Sequence, residues 1–387
     1  MSGVSSRADE ARRALQLKSY DLSAMTLALA LGKRGLGQCW PNPSVGAVIS
    51  DSQTGRIIAS AWTARGGRPH AEAIALAAAG EAARGATAYT TLEPCSHWGK
   101  TPPCADALLH AGIKRLVYGV VDPDPRVAGQ GLERLAAHGV EIIEGPLPRE
   151  ARWLALGHAL RVSAGRPFTQ LKLAVDAGGM VPAGNGAPQF VTGEEARAHG
   201  HLLRAETDAI LVGRGTMLAD DPELTCRLPG LAGRSPIRVV LSSRGTLPPA
   251  AKMRRSAVAF PVWVVCAENV PRDDWAELER LGVVPIPVAA GPDGRPDMRA
   301  AMHALTERGI TRVLVEGGAA IAEAVLRADL VDEALIYRGA ARATAETIRP
   351  FGARGIAALT DHETLRPYAE RLVGRDRLSV YRRGEFW

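Results

Sequence analysis

The chain has 387 residues, 46% hydrophobic and 23% charged, with a net charge of +6 and five cysteines. That length accommodates two domains with separate cores, and no apolar run approaches the roughly 20 residues that span a bilayer. An odd number of cysteines argues against a disulfide scaffold, and the polar first 19 residues lack the apolar core of a secretory signal, so a flexible tail over 1–19 and a cytoplasmic location are expected.

From residue 20 the sequence alternates helical and strand patterns. A helix is expected from 21 to about 33, with Leu22, Met25, Ala28 and Leu29 on one side. Apolar runs over 45–49 and 57–61 read as paired strands joined by the turn Asp51-Ser52-Gln53-Thr54-Gly55. The alanine-rich stretch 71–83 reads as a helix, with His70 and Glu72 at its first turn. A strand over 86–92 runs into Pro94-Cys95, and Cys104 opens a helix over 105–111. Strand 115–121, helix 132–138 and a short strand at 142–143 complete a first α/β domain over 20–145. Gly145-Pro146-Leu147-Pro148 breaks the pattern. A linker helix and loop are expected over 146–166, then a second domain over 167–387. Its apolar runs over 168–175, 209–212, 237–241, 262–266, 283–287, 312–315 and 333–336, several separated by helices, predict a mainly parallel sheet.

The strongest chemical signal lies in the first domain. His70-Ala71-Glu72 is followed by Pro94-Cys95 and by Cys104. Singly, His70 reads as a core histidine and the cysteines as small buried hydrophobes. In this order they form the ligand set of a catalytic zinc site, one imidazole and two thiolates with the fourth position left to water. Zn²⁺ lowers the pKa of that water, and Glu72, not itself a ligand, is placed to move protons. H-x-E with a later Pro-Cys is a nucleobase-deaminase signature, although eight residues rather than two separate Cys95 from Cys104.

The second domain carries weaker signals. Strand 313–316 enters Gly317-Gly318 and then a helix over 319–327, a place where backbone N–H groups can meet a phosphate and where a tight turn serves equally. Ser242-Ser243-Arg244 suits the 2′-phosphate of NADPH, or is a plain polar turn. No G-x-G-x-x-G follows a first strand, so a Rossmann domain is not expected.

The stretch from Thr91 through Leu92-Glu93-Pro94-Cys95-Ser96-His97-Trp98-Gly99-Lys100-Thr101-Pro102-Pro103 to Cys104 closely resembles the zinc motif of the RibD family, bifunctional pyrimidine deaminases and reductases of riboflavin biosynthesis. Pro41-Asn42-Pro43-Ser44-Val45-Gly46, Asp122-Pro123-Asp124-Pro125 and Val127-Ala128-Gly129-Gln130-Gly131 resemble its substrate loops. The resemblance implies a cytidine-deaminase-like domain followed by a dihydrofolate-reductase-like one, with Zn²⁺ and NADPH as cofactors. It implies His70, Cys95 and Cys104 as zinc ligands and Glu72 as the catalytic proton carrier. Asn42, His97, Lys100, Asp122 and Asp124 would contact the phosphoribosylated pyrimidine. In the reductase, Lys172, Arg204, Asp220, Leu224, Arg227 and Glu316 would hold the substrate, and Thr216, Ser242, Gly317 and Gly318 the nucleotide. A homo-oligomer is likewise implied.

The reductase half departs from the family pattern. Asp176-Ala177-Gly178-Gly179 stands where Ser-Leu-Asp-Gly is usual, Pro188-Gln189-Phe190 replaces Ser-x-Trp, Ser242 replaces an aspartate, and Arg338-Gly339-Ala340 replaces a Pro- and Gly-rich turn. In the zinc loop Trp98 stands in place of a second histidine. Two alternatives therefore stay open: a deaminase whose second domain is non-catalytic, and a nucleic-acid base deaminase. The long cysteine spacing and the lack of a basic track interleaved with aromatics count against the latter, so a small phosphorylated molecule is expected as partner, with neither nucleic acid nor membrane.

Overall fold

The computed structural model describes residues 17–99, 101–183, 190–272, 275–344 and 346–384. The chain divides into two compact units, 1–164 and 165–387.

The first unit contains α1 (Asp21–Gly35), β1 (Gly46–Ser50), β2 (Ile57–Trp62), α2 (Ala71–Ala79), β3 (Thr87–Thr90), α3 (Cys104–His110), β4 (Arg115–Tyr118), α4 (Gln130–Ala137), β5 (Glu141–Glu144) and α5 (Pro148–Ala164). The sheet order is β2-β1-β3-β4-β5. β1 pairs antiparallel with β2 and β3, and β3, β4 and β5 run parallel.

Period-two alternation assigns the two faces of this sheet. Val48, Tyr89, Val117 and Ile143 pack under α1 and α5. Ala47, Ile49, Ala88 and Leu116 pack under α2, α3 and α4. Of the α1 residues expected inside, Met25, Ala28 and Leu29 are buried, but Leu22 is 53% exposed. The segment expected as a linker is largely α5, whose Ala151 and Leu154 are buried in the first unit's core.

A buried ion pair ties α1 to the sheet. Asp21 accepts hydrogen bonds from the Arg115 guanidinium at 2.8 Å to each carboxylate oxygen and from the Tyr89 hydroxyl at 2.7 Å. Burial raises the Asp21 carboxyl, but the bonds from Arg115, Tyr89 and the Lys18 amide outweigh it and hold the group below the usual carboxylate value. Its contribution is therefore present above that ordinary value and is lost as pH falls through the lowered one. Asp21→Asn leaves Arg115 charged with 3% of its side chain exposed, which is expected to cost about 3–5 kcal/mol in urea unfolding at neutral pH. The variant should also lose less stability than the wild type on acidification below pH ~4.

The second unit is built on one sheet in the order β11-β10-β9-β8-β12-β6-β13-β16-β15. Its strands are β6 (Phe168–Val175), β8 (Ala209–Gly213), β9 (Ile237–Leu241), β10 (Val262–Ala267), β11 (Val283–Val288), β12 (Arg312–Val315), β13 (Glu333–Arg338), β15 (Leu365–Val373) and β16 (Asp376–Arg383). β7 (Val181–Pro182) and β14 (Thr347–Ile348) form a separate pair. β11 to β13 in that order are parallel, and β16 and β15 close the edge antiparallel. This is the expected mainly parallel α/β domain, with a C-terminal hairpin that the apolar pattern did not reveal.

The chain leaves β6, steps out through β8 to β11, and returns with β12 between β8 and β6. The connections that follow β8, β9 and β12 therefore gather at the carboxyl ends of parallel strands around a topological switch, where open α/β sheets hold their ligands. The helix Glu194–Ala205, here α6, adds Ala196 and Leu203 to the core with Leu335, Tyr337 and Leu378. No helix among the described residues is long and apolar enough to cross a membrane.

Candidate active sites

Three helix ends and loops bring the deaminase-type residues together. His70 is the N-cap residue of α2, with extended backbone (φ −70°, ψ 158°), and Glu72 lies in its first turn. β3 delivers the chain to Cys95. Pro103 precedes Cys104, the first residue of α3, whose amide is one of the donors a helix start leaves without an intrahelical partner. That amide donates to Cys95 Sγ at 3.2 Å. His70 Nδ1 lies 3.3 Å from Cys104 Sγ and 3.8 Å from Cys95 Sγ. The three ligand atoms fall within 4.8 Å of one another.

The electrostatics suit a soft divalent cation. Hydrogen bonding with Cys104, then with His70, holds the Cys95 thiol down at about 4 against the opposing effect of burial. The same bond with Cys95, then burial, pushes the Cys104 thiol up. Glu72 is 4% exposed, its Oε2 is buried with no hydrogen-bond partner among the described residues, and burial pushes its carboxyl up. A partnerless carboxylate oxygen beside two sulfurs and an imidazole fits a metal-bound water as the missing partner.

The other residues expected at this site divide. Asn42 Nδ2 donates to the Gly67 carbonyl at 2.7 Å, and His97 keeps a buried Nδ1 with no partner among the described residues. Lys100 lies outside the described residues. Asp122 and Asp124 are buried, and their carboxylates already have partners. Asp122 Oδ1 accepts from His158 Nε2 at 2.9 Å, and Asp124 binds Arg126, which holds its carboxyl down at about 2. Glu93 and His158, both buried in this network, were not singled out by the sequence; the Thr-Leu-Glu-Pro-Cys stretch contains the former without marking it.

In the second unit, Lys172, Arg204 and Glu316 form one ionic cluster. Arg204 grips Glu316 bidentately at 2.6 and 3.1 Å and donates to the Thr225 carbonyl at 3.1 Å. Burial lowers Lys172 and opposes the charge on Glu316, but Arg204 and Lys172 hold Glu316 below its ordinary value. Tyr337 lies under Lys172, Nζ being 5.7 Å from the ring centroid, and its hydroxyl meets His199 Nδ1. The Arg227 amide donates to His201 Nδ1 at 3.3 Å, and its side chain is exposed. Leu224 is buried with φ 56° in the loop between them. Asp220 is half-buried, and burial raises its carboxyl.

At the ends of β8 and β12, Thr216 Oγ1 accepts from the Gly318 amide at 3.1 Å. A Cβ on Gly317 would lie 2.6 Å from Ile321, so this glycine lets its helix close on the strand, whereas a Cβ on Gly318 would make ordinary contact with Thr216 Oγ1 at 3.7 Å and Gly215 borders open space. Arg214 Nε is buried without a partner among the described residues. The open space beside Gly215 and the neighbouring Arg214 side chain fit an anionic dinucleotide. Ser242 is a correction: it is fully buried and its hydroxyl bonds the Thr246 carbonyl at 3.0 Å, so it forms a turn and presents nothing outward, leaving the exposed Ser243 and Arg244. Of the departures noted above, Asp176 caps its own turn by accepting from the Gly178 and Met180 amides at 2.8 and 3.0 Å, and it also accepts from Ala343. Pro188 and Gln189 lie outside the described residues.

Residues 18–120 match the family model of the cytidine and deoxycytidylate deaminase zinc-binding region, and residues 167–342 that of the RibD C-terminal domain. The riboflavin biosynthesis protein RibD of Escherichia coli K12 is 38% identical over 352 residues, covering 88% of this chain and 92% of that protein. The structure of Acinetobacter baumannii RibD is 32% identical with a TM-score of 0.80, covering 94% of this chain and 99% of that one. A Thermotoga maritima diaminohydroxyphosphoribosylaminopyrimidine deaminase/5-amino-6-(5-phosphoribosylamino)uracil reductase is 33% identical with a TM-score of 0.79, over 94% and 98% of the two chains. Because both halves are matched in full-length bifunctional relatives, the two-activity reading is favoured over a deaminase with an idle second domain. The chain belongs to the RibD family, riboflavin biosynthesis enzymes that join a zinc-dependent deaminase to an NADPH-dependent reductase.

Proposed function

We propose that the first unit deaminates 2,5-diamino-6-ribosylamino-4(3H)-pyrimidinone 5′-phosphate and that the second reduces the ribosyl group of the product to a ribityl chain. The observation that carries this reading is the partnerless, buried Glu72 Oε2 beside the His70, Cys95 and Cys104 cluster. Those three residues hold Zn²⁺, which when bound makes a water nucleophilic at neutral pH. With zinc bound, Glu72 would take one proton from that water and pass it to the ring nitrogen, and would then carry a second proton, from the hydroxyl left on the ring carbon, to the amino group, which departs as ammonia as the carbonyl forms. Burial raises its carboxyl, which suits a group that must hold each proton between taking it and passing it on. Asn42 and His97 are assigned to the pyrimidine and its phosphoribosyl group, and Lys100 carries the same assignment from the sequence alone.

In the second unit Arg204 fixes Glu316, and Glu316 with Lys172 and Asp220 orients the sugar. Leu224 and Arg227 border that site, and Thr216, Gly317 and Gly318 shape the nucleotide pocket. NADPH, when bound there, would supply the hydride that reduces the sugar C1. We further propose a cytoplasmic homo-oligomer; the low cysteine count and the assignment of Cys95 and Cys104 as thiolate ligands fit a reducing compartment. Stripping the protein with a chelator is expected to abolish ammonia release from the pyrimidine, and one zinc per chain should restore it. Unchanged ammonia release from metal-free protein would overturn the metal assignment.

A further inference from the structure

Next to the zinc ligands stands a carboxylate that the chemistry above does not use. Glu93 lies two residues before Cys95 and is 3% exposed. Its Oε2 accepts from the Gly129 amide at 2.9 Å and the Asp122 amide at 3.2 Å. Its Oε1 accepts from the Gly131 amide at 3.0 Å and the Leu132 amide at 3.4 Å. One side chain thus gathers both ends of segment 122–132 and caps the start of α4. The glycines permit this. Gly129 sits at φ 87°, and a Cβ on Gly131 would lie 2.1 Å from the Pro94 carbonyl oxygen. The segment's backbone is pressed onto the strand exit that leads into Cys95.

The same segment is held from α5. His158, 9% exposed, sets Nε2 2.9 Å from Asp122 Oδ1, and that oxygen also accepts from the Asp124 amide at 2.9 Å. Ser96 adds a bond from its hydroxyl to the Arg126 carbonyl at 3.3 Å. Segment 122–132 is therefore fastened to the zinc loop by Glu93 and to α5 by His158.

We propose that Glu93 and His158 are positioning residues of the deaminase, which fix segment 122–132 relative to Cys95 and so set how well the pyrimidine substrate is held. The inference rests on the deaminase reading above. A glutamine at 93 keeps the shape but turns one acceptor into a donor facing backbone N–H groups, which a buried site tolerates poorly. A glutamine at 158 can still donate to Asp122, whereas phenylalanine cannot.

The test uses the full-length, zinc-loaded chain. Glu93→Gln and His158→Phe are expected to raise the deaminase KM about tenfold or more while kcat changes less than about threefold. Zinc content should stay at the wild-type level, and His158→Gln should recover most of the lost affinity. Hydrogen–deuterium exchange over 122–132 should be faster in Glu93→Gln than in wild type, with 71–79 unchanged. Unaltered KM in both variants would overturn the proposal. So would loss of zinc and kcat at unchanged KM, which would make Glu93 a support of the metal ligands alone. If the wild type releases no ammonia, the deaminase reading fails instead; the exchange experiment still decides the positioning, because unaltered exchange over 122–132 overturns it.

Discussion

Glu72→Gln is expected to lower ammonia release by about 10²–10⁴-fold, the range over which a positioned proton carrier contributes. The side chain lies in the first turn of α2, close to the N-cap residue His70, with Oε2 buried and without a partner among the described residues. Glutamine matches its volume, so the core around Ala71 and Ala75, both fully buried, is not disturbed. The variant should still bind one zinc per chain, because His70, Cys95 and Cys104 are intact. It should also still oxidise NADPH when given the deaminated pyrimidine, since the reductase residues belong to the other unit. Metal analysis and the two activities, measured on one preparation, check all three statements. Loss of zinc together with activity would assign Glu72 to the ligand set; retention of ammonia release would remove it from the chemistry.

Glu316→Gln should produce the reciprocal pattern. The carboxylate is bidentate with Arg204, and the two side chains are 8% and 15% exposed. Lys172 adds a second cation to the same site. Without the negative charge, Arg204 and Lys172 face each other with little solvent to screen them. Removing one partner of such a buried pair costs about 3–5 kcal/mol, so the melting transition of the second unit should fall. NADPH oxidation should drop by about a hundredfold or more as the sugar loses its fixed acceptor. Ammonia release should remain within about twofold of wild type. A Glu316→Gln protein with full NADPH oxidation would remove the ionic cluster from the reductase site.

How far the sequence reveals this molecule depends on how local each signal is. The zinc cluster was legible because its chemistry demands particular residue types close to helix starts: His70 before an alanine-rich helix, Cys104 after two prolines. The parallel strands were legible because buried strands such as Val262–Ala267 are nearly all apolar. The C-terminal hairpin was not. β15 is an edge strand whose residues 366 to 372 are all exposed, and its Arg-Pro-Tyr-Ala-Glu-Arg run carries no alternation. Leu22 was read as inward from spacing alone, but the buried side of α1 is set by Met25, Ala28 and Leu29 against the sheet.

Long-range partners escaped for the same reason. The bond between His158 and Asp122 spans 36 positions, that between Asp21 and Arg115 spans 94, and neither has a sequence signature. Ser242 misled because a hydroxyl after a strand can point outward to a phosphate or inward to its own turn, and the Thr246 backbone that captures it lies beyond any motif.

The most direct test of the account is one time course on the full-length, zinc-loaded wild-type protein with the phosphoribosylated diaminopyrimidinone and NADPH, recording ammonia and NADPH separately. The account predicts that ammonia appears first, that NADPH oxidation follows with a lag, and that the two converge on equal amounts. Ammonia release with no NADPH oxidation, persisting when the deaminated product is supplied directly, would contradict the claim that both units are catalytic.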